Sequence, residues 1–326
     1  MTKMELEKAY ITLTGKCNLT CDYCYLDENK KNDLSKNQWF KAINILSEKG
    51  VNWVQLTGGE PLTRKDFWEI LDFSHKKFDK IIIATNATLI DEKAIKSFSK
   101  LDKILVYVSL NNWVEEKNLD EDNNIFAKKI KTIKKLNDHD IDVVVSTTVS
   151  KDNFKDLPKI IKYTHKNGIN QRLNFISLYG CATKELLDPV TRIYLEKFKE
   201  DNNEKTINII PNCSAGFKNI SILENGDVTP CVVLRDGSYT GGNILKQELE
   251  DIYNSPVFIR WRRLSSIIDD KCEKCEMFEK CKGGCPVRRI SYSDAFKKNI
   301  LVDAGLCAWN ESFEKLGLQL RIQGWE

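Results

Sequence analysis

Six short apolar runs recur along the first part of the chain: KAYITLT (8–14), NWVQLT (52–57), KIIIAT (80–85), KILVYVSL (103–110), IDVVVSTTV (141–149) and QRLNFISL (171–178). They are β-branched and nearly continuous in their apolarity, which predicts strands covered on both faces by helices. Between them, amphipathic stretches near 35–48, 65–76, 91–100, 124–137 and 155–167 predict helices. Ser35 and the Asp91-Glu92 pair supply helix-start signals. Six βα repeats of about 30 residues predict a parallel sheet with right-handed crossovers. An open sheet and a curved partial barrel both satisfy the pattern, and either gathers ligands at the carboxyl ends of its strands.

Polar residues sit at those ends. Thr57-Gly58-Gly59-Glu60-Pro61, Thr85-Asn86, Ser109-Leu110-Asn111 and Thr147-Thr148 each close a predicted strand. Taken singly, each is a turn or a helix cap; together, beside the cysteines that follow the first strand, they describe one site.

After about residue 205 the alternation stops. NISILENGDVTP (219–230) predicts a hairpin around Asn225-Gly226, and short helices are expected near 246–254, 256–264 and 309–320. A region with so little periodic core needs metal to fold. Two domains are therefore expected, 1–205 and 206–326, in a chain of 326 residues. Residues 112–124 are acidic and predict a surface loop.

Fifty basic and forty-seven acidic residues leave a formal charge of +3, which gives no argument for nucleic acid or an anionic membrane. No run of about 18 apolar residues predicts a membrane span, and the N-terminal segment has no signal core. A cytoplasmic protein is expected. In such a reducing compartment eleven cysteines point to metal binding rather than disulfides. Three lie at 17–24, seven lie between 213 and 307, and Cys181 stands alone.

Cys17-x3-Cys21-x2-Cys24 offers three thiols, one short of a closed tetrahedral site, and no histidine lies near. A [4Fe–4S] cluster on three thiolates keeps one iron free for another ligand. This motif, with Tyr23 before its last cysteine and GGEP at the next strand end, resembles the signature of radical S-adenosylmethionine enzymes. The resemblance implies that S-adenosylmethionine binds the open iron and yields a 5′-deoxyadenosyl radical that takes hydrogen from substrate. It implies further that Gly58, Gly59, Glu60 and Pro61 serve the methionine ammonium, the glycines by letting backbone approach the ligand. Asn86 and Ser109 would contact the cofactor, Lys128 would meet the methionine carboxylate, and a flavodoxin- or ferredoxin-type protein would donate electrons. Gly168-Ile169 resembles the adenine-side motif, and equally reads as the end of helix 155–167.

Cys213-x12-Gly226-x4-Cys231, Cys272-x2-Cys275-x5-Cys281-x3-Cys285 and Cys307 resemble the seven-cysteine pattern of the SPASM domain. Structural zinc is the competing reading of these cysteines. By the resemblance, Cys213, Cys231 and Cys285 hold one auxiliary cluster and Cys272, Cys275, Cys281 and Cys307 a second, for three [4Fe–4S] clusters in all. The fold implied is α/β, a partial (β/α)6 barrel of parallel strands followed by a small cysteine-rich α+β auxiliary-cluster domain. Cys181 reads as a small buried hydrophobe, a fourth ligand to the first auxiliary cluster, or a hydrogen-atom donor.

The function implied is oxidative modification of a peptide or protein side chain, as in maturases of ribosomally made peptides. The barrel begins near residue 8, so a separate peptide-recognition protein or direct substrate binding is expected. The alternative is a small-molecule dehydrogenase or epimerase acting on a sugar or aminocyclitol. An electron carrier without catalysis is disfavoured by GGEP and the polar strand ends.

Overall fold

The computed structural model describes residues 3–26, 32–114, 124–197, 206–208, 213–276, 278–304 and 307–308. All six predicted strands form: β1 (Lys8–Thr12), β2 (Trp53–Thr57), β3 (Lys80–Thr85), β4 (Ile104–Ser109), β5 (Val143–Val149) and β6 (Asn170–Phe175). They pair in parallel in that order. Five helices return the chain between them: α1 (Lys36–Glu48), α2 (Phe67–His75), α3 (Glu92–Phe98), α4 (Ile125–Asp138) and α5 (Leu157–Lys166). The start signals hold. Ser35 and Gln38 form a capping box, and the Asp91 carboxylate accepts the N–H of Ala94 at 2.7 Å.

Helices cover only one face of the sheet, which corrects the expectation of two covered faces. Along β4, Ile104, Val106 and Val108 are buried in the main core, which they share with Trp39, Ile43, Phe67 and Ile133 of the helices. The alternating partners Leu105, Tyr107 and Ser109 are half-buried on the other face. Arg172 on β6 exerts its charge on Lys8 and Tyr10 of β1. Five strand spacings in a flat sheet would separate β1 from β6 by about 24 Å. The sheet therefore curls, and the second face lines a lumen.

Beyond β6 come α6 (Pro189–Lys197) and β7 (Thr206–Asn208), then β8 (Asn219–Ile222), β9 (Asp227–Thr229) and β10 (Gly242–Asn243). The predicted hairpin is β8 with β9, paired antiparallel. What the pattern did not foretell is that β8 pairs in parallel with β1, so the sheet has nine strands in the order β10-β9-β8-β1-β2-β3-β4-β5-β6. The cysteine-rich region is thus built onto the free edge of β1. It continues with α7 (Leu249–Tyr253), α8 (Pro256–Ser266), β11 (Ile267–Asp269), α9 (Phe278–Cys281) and α10 (Pro286–Phe296). β11 pairs with β7. The expected helix at 309–320 and residues 115–123 of the acidic segment lie outside the described residues. Among the described residues, no helix is long and apolar enough to cross a membrane.

Candidate functional site

The chain leaves β1 through Leu13 and Thr14, and two clamps shape the cysteine loop that follows. Thr14 Oγ1 donates to Asp33 Oδ2 at 2.5 Å and the Gly15 N–H to Asp33 Oδ1 at 2.9 Å. From the β2 end, the Gly59 N–H donates to the Thr14 carbonyl at 2.9 Å and the Glu60 N–H to the Lys16 carbonyl at 2.8 Å. A Cβ on Gly58 would stand 2.5 Å from the Thr14 oxygen, and one on Gly59 2.2 Å from the Lys16 oxygen. The two glycines admit backbone against backbone. The close approach expected at a ligand is here an approach to the cysteine loop itself.

Glu60 is fully buried, and its carboxylate is already engaged. Oε1 accepts from Thr85 Oγ1 at 2.9 Å and the Leu62 N–H at 3.2 Å, and Oε2 from the Asn86 N–H at 2.7 Å. Burial pushes its pKa up, while those donors pull it down. Pro61 is buried at the start of the short 3-10 turn Pro61–Thr63. Glu60-Pro61 therefore joins the ends of β2 and β3.

Asn86 carries the connection on to the thiols. Its amide donates to Asn18 Oδ1 at 2.9 Å and lies 3.9 Å from the Cys17 sulfur, while the Leu19 N–H donates to that sulfur at 3.4 Å. Tyr23 accepts a hydrogen bond from the Asn111 amide, and Asn111 Oδ1 accepts the Thr148 N–H at 2.8 Å. The loop is thus tied to the ends of β3, β4 and β5. Ser109 faces the lumen opposite Ser146.

Lys128 is exposed on α4. Lys129 is half-buried, and Cys21, Glu60 and Cys17 act on its charge, while desolvation lowers its pKa. Phe126 and Ile133, three before and four after Lys129, are buried, so it lies within the apolar stripe of the helix. That spacing was readable in the sequence. Gly168 ends α5 at φ +65°, with its N–H on the His165 carbonyl at 3.2 Å, and Ile169 enters the core. The pair is a helix cap.

Cys181 is exposed, so it is no core filler. Its N–H donates to the Cys24 carbonyl at 2.8 Å, and its thiol lies 4.0 Å from the Leu26 carbonyl oxygen. It sits with the first cysteine trio rather than with Cys213, Cys231 and Cys285.

Those three pack together with Ala215, Leu234, Trp261 and Val287. Burial, reinforced by Cys285, lifts the Cys213 thiol to about 11 and the Cys231 thiol higher still. A second group gathers Cys272, Cys275, Cys281 and Cys307, where burial and Asp303 push Cys281 up to about 12 and Cys307 well above the thiol range. Desolvated thiols such as Cys213, Cys231, Cys281 and Cys307 are costly as free thiolates, whereas Cys275 is exposed. Asp303 links the two groups. Its carboxylate accepts the Cys285 N–H at 2.8 Å and the Arg288 guanidinium, and its carbonyl accepts the Cys307 N–H at 2.9 Å. Among the described residues no three Cys, His, Asp or Glu side chains are drawn close enough to hold a metal ion in this structure. The first trio nevertheless has the surroundings such a group needs, with N–H donors on the Cys17 sulfur and the Lys129 charge acting on Cys21 and Cys17.

The sequence profile of the Radical SAM superfamily matches residues 11–164, and that of SPASM, an iron–sulfur cluster-binding domain, matches 213–285. The antilisterial bacteriocin subtilosin biosynthesis protein AlbA of Bacillus subtilis (strain 168) is 30% identical over 330 residues, covering 94% of this chain and 72% of AlbA. This chain belongs to the radical SAM superfamily and carries a SPASM domain. As a radical SAM protein it is an enzyme that uses S-adenosylmethionine and iron–sulfur clusters. The sporulation killing factor maturation protein SkfB of the same organism is 26% identical over 264 residues, covering 74% of this chain and 63% of SkfB, less than two thirds of its length. Native anSMEcpe with bound AdoMet and the Kp18Cys peptide shares the fold at TM-score 0.68 and 18% identity, over 94% of this chain and 96% of that one.

Proposed function

We propose that this radical SAM enzyme matures a ribosomally made peptide, removing hydrogen from a side chain and leaving it oxidised, by cross-linking or dehydrogenation. The observation that carries the reading is the placement of Cys17, Cys21 and Cys24 on a loop fastened to four strand ends, at a lumen whose Tyr10 also feels the charges of Cys231 and Cys213. Similarity to AlbA and SkfB, whose names assign them to bacteriocin biosynthesis and killing-factor maturation, supports the peptide substrate.

Cys17, Cys21 and Cys24 would hold one [4Fe–4S] cluster, Cys213, Cys231 and Cys285 a second, and Cys272, Cys275, Cys281 and Cys307 a third. When bound, the first cluster and S-adenosylmethionine supply a 5′-deoxyadenosyl radical that abstracts hydrogen. The chain's own part is positional. Gly58, Gly59 and Glu60 hold the loop against β2, Asn86 and Tyr23 hold it against β3 to β5, and Lys129 presents a cation to the methionine carboxylate. Ser109 faces the same lumen. A flavodoxin- or ferredoxin-type donor would supply electrons, and a separate recognition protein would bring the peptide. The domain boundary near 205 and a cytoplasmic location complete the reading.

The test is anaerobic incubation of the reconstituted, reduced enzyme with S-adenosylmethionine and a panel of candidate precursor peptides, read by mass spectrometry. Loss of two hydrogens per modified site, absent in the C17A/C21A/C24A variant, is the expected result. An unmodified peptide alongside turnover of a sugar or aminocyclitol would overturn it.

A further inference from the structure

The lumen between β1 and β6 holds cations that the described residues leave unpaired. Arg172 faces inward: it shares its face of β6 with Asn174, whose amide donates to Ser146 Oγ at 2.8 Å, and its guanidinium stands 5.9 Å from the centre of the Tyr107 ring. Lys8 is buried, with its ammonium 3.9 Å from the Trp53 ring centre and 4.2 Å from that of Tyr10. Lys80, exposed at the start of β3, stands 4.9 Å from the Trp53 ring centre. Among the described residues, none of the three forms an ion pair.

Unpartnered polar atoms lie on the same wall. Ser221 and Gln55 flank Tyr10 in register on β8 and β2, and Thr12 follows Tyr10 on the same face of β1. The Ser221 and Thr12 hydroxyls and the Gln55 Oε1 are buried without a hydrogen-bond partner, and Ser221 and Thr12 are fully buried residues. Water can satisfy a hydroxyl, but it does not neutralise a guanidinium that shares a half-enclosed space with the buried Lys8. The strain is visible at Lys8, whose pKa is lowered to about 7 by burial first, then by Arg172 and Lys80. Burial also keeps Tyr10 protonated, hence a donor.

We propose that this wall is a carboxylate-binding subsite, in which Arg172, with the Tyr10 and Ser221 hydroxyls, holds a carboxylate of the substrate. Calling that substrate a peptide rests on the maturase reading. The planar guanidinium fork matches a carboxylate, and the tyrosine face behind it fixes its plane. The carboxylate comes from an acidic side chain or from a chain terminus. Either way, the subsite sets which part of the substrate stands between the first cysteine trio and Cys213 and Cys231, whose charges also reach Tyr10.

The test uses the reconstituted, S-adenosylmethionine-bound, unreduced full chain and ligand-observed saturation-transfer NMR. Three probes separate the sources: N-acetylglutamate N-methylamide, N-acetylalanine, and N-acetylglutamine N-methylamide as the uncharged control. One of the two acids is expected to show transfer that weakens at least ~10-fold in R172Q, the scale of a charge-assisted hydrogen bond, and survives in part in R172K. Transfer no stronger than that of the glutamine probe, or undiminished in R172Q, overturns the proposal. It is also overturned if R172Q shifts the midpoint potential of an auxiliary cluster and leaves probe binding intact, because Arg172 would then be the counter-ion of that cluster. Should R172Q fail to fold, Tyr10→Phe must show the weakened transfer instead. None of these probes is a precursor peptide, so failure here leaves the maturation assay to stand or fall separately.

Discussion

The Glu60 carboxylate receives the Asn86 N–H at 2.7 Å, and through that bond the end of β2 holds the end of β3 beside Cys17. Glu60→Ala strands three donors, Asn86 N–H, Leu62 N–H and Thr85 Oγ1, and is expected to cost about 3 kcal/mol or more. Glu60→Gln keeps one acceptor oxygen and is expected to cost less. Denaturant unfolding and iron analysis should show stability and first-site iron falling together. If Glu60→Gln kept full stability and iron yet failed to bind S-adenosylmethionine, the carboxylate would serve the cofactor directly.

Lys128 and Lys129 are adjacent, so each controls for the other. Lys129→Met is expected to weaken S-adenosylmethionine binding about 10-fold or more, the scale of a lost charge-assisted hydrogen bond. Lys128→Met, on the exposed face, is expected to leave it unchanged. Equilibrium dialysis of the reconstituted proteins decides it, and equal effects from the two variants would remove Lys129 from the cofactor site.

The six strands were legible because β-branched runs such as Ile81-Ile82-Ile83 have little other use. The lumen was less legible. Tyr107 and Ser109 sit inside an apolar run, and the two-residue alternation that turns them inward shows only as half-burial in the folded sheet. The pairing of β8 with β1 joins residues more than 200 positions apart, and nothing local in a four-residue strand encodes its partner. Glu60 illustrates a different limit. Its motif marked an important position, but whether its carboxylate faces a ligand or backbone N–H groups depends on where β3 ends.

Asp303 serves both late cysteine groups, because its carboxylate takes the Cys285 N–H and its carbonyl the Cys307 N–H. Asp303→Ala would leave Arg288 buried without its counter-ion, a change that costs about 3–5 kcal/mol. D303A/R288L is expected to recover part of that stability, since the stranded charge goes too. Denaturant unfolding gives the coupling energy, and electron paramagnetic resonance should show the auxiliary signals depleted in both variants. Full auxiliary signals in D303A would mean that the Asp303 bracket is dispensable for cluster binding.

Lys8 makes a pH prediction. Its folded pKa of about 7 lies below the ordinary 10.5, so between these values the unfolded chain binds more protons and folded stability rises with pH. The interval from 7 to 10.5 corresponds to about 5 kcal/mol, and the two ring contacts oppose it by about 1 kcal/mol each. Lys8→Met is therefore expected to be more stable than wild type by about 3 kcal/mol near neutral pH, with the advantage disappearing toward pH 10.5. Thermal unfolding of both proteins across that range checks it. A stability difference that does not change with pH would show that Lys8 keeps its proton on folding.

Cys181 bears on the class of reaction. After hydrogen is removed, the substrate radical is either quenched by a second hydrogen atom or oxidised by loss of an electron. An exposed thiol hydrogen-bonded through its backbone to Cys24 stands near enough to the first site to quench, as an epimerase would require. The two late cysteine groups favour the other outcome, since one of them, Cys213 with Cys231, adjoins Tyr10 in the lumen and offers an electron a way out. Net oxidation is therefore expected, with Cys181 outside the hydrogen balance. Turnover in heavy water followed by mass spectrometry should show loss of two hydrogens and no deuterium uptake, in wild type and Cys181→Ala alike. One deuterium gained by wild type at an unchanged oxidation level, and lost in Cys181→Ala, would make the thiol a hydrogen donor and the enzyme an epimerase.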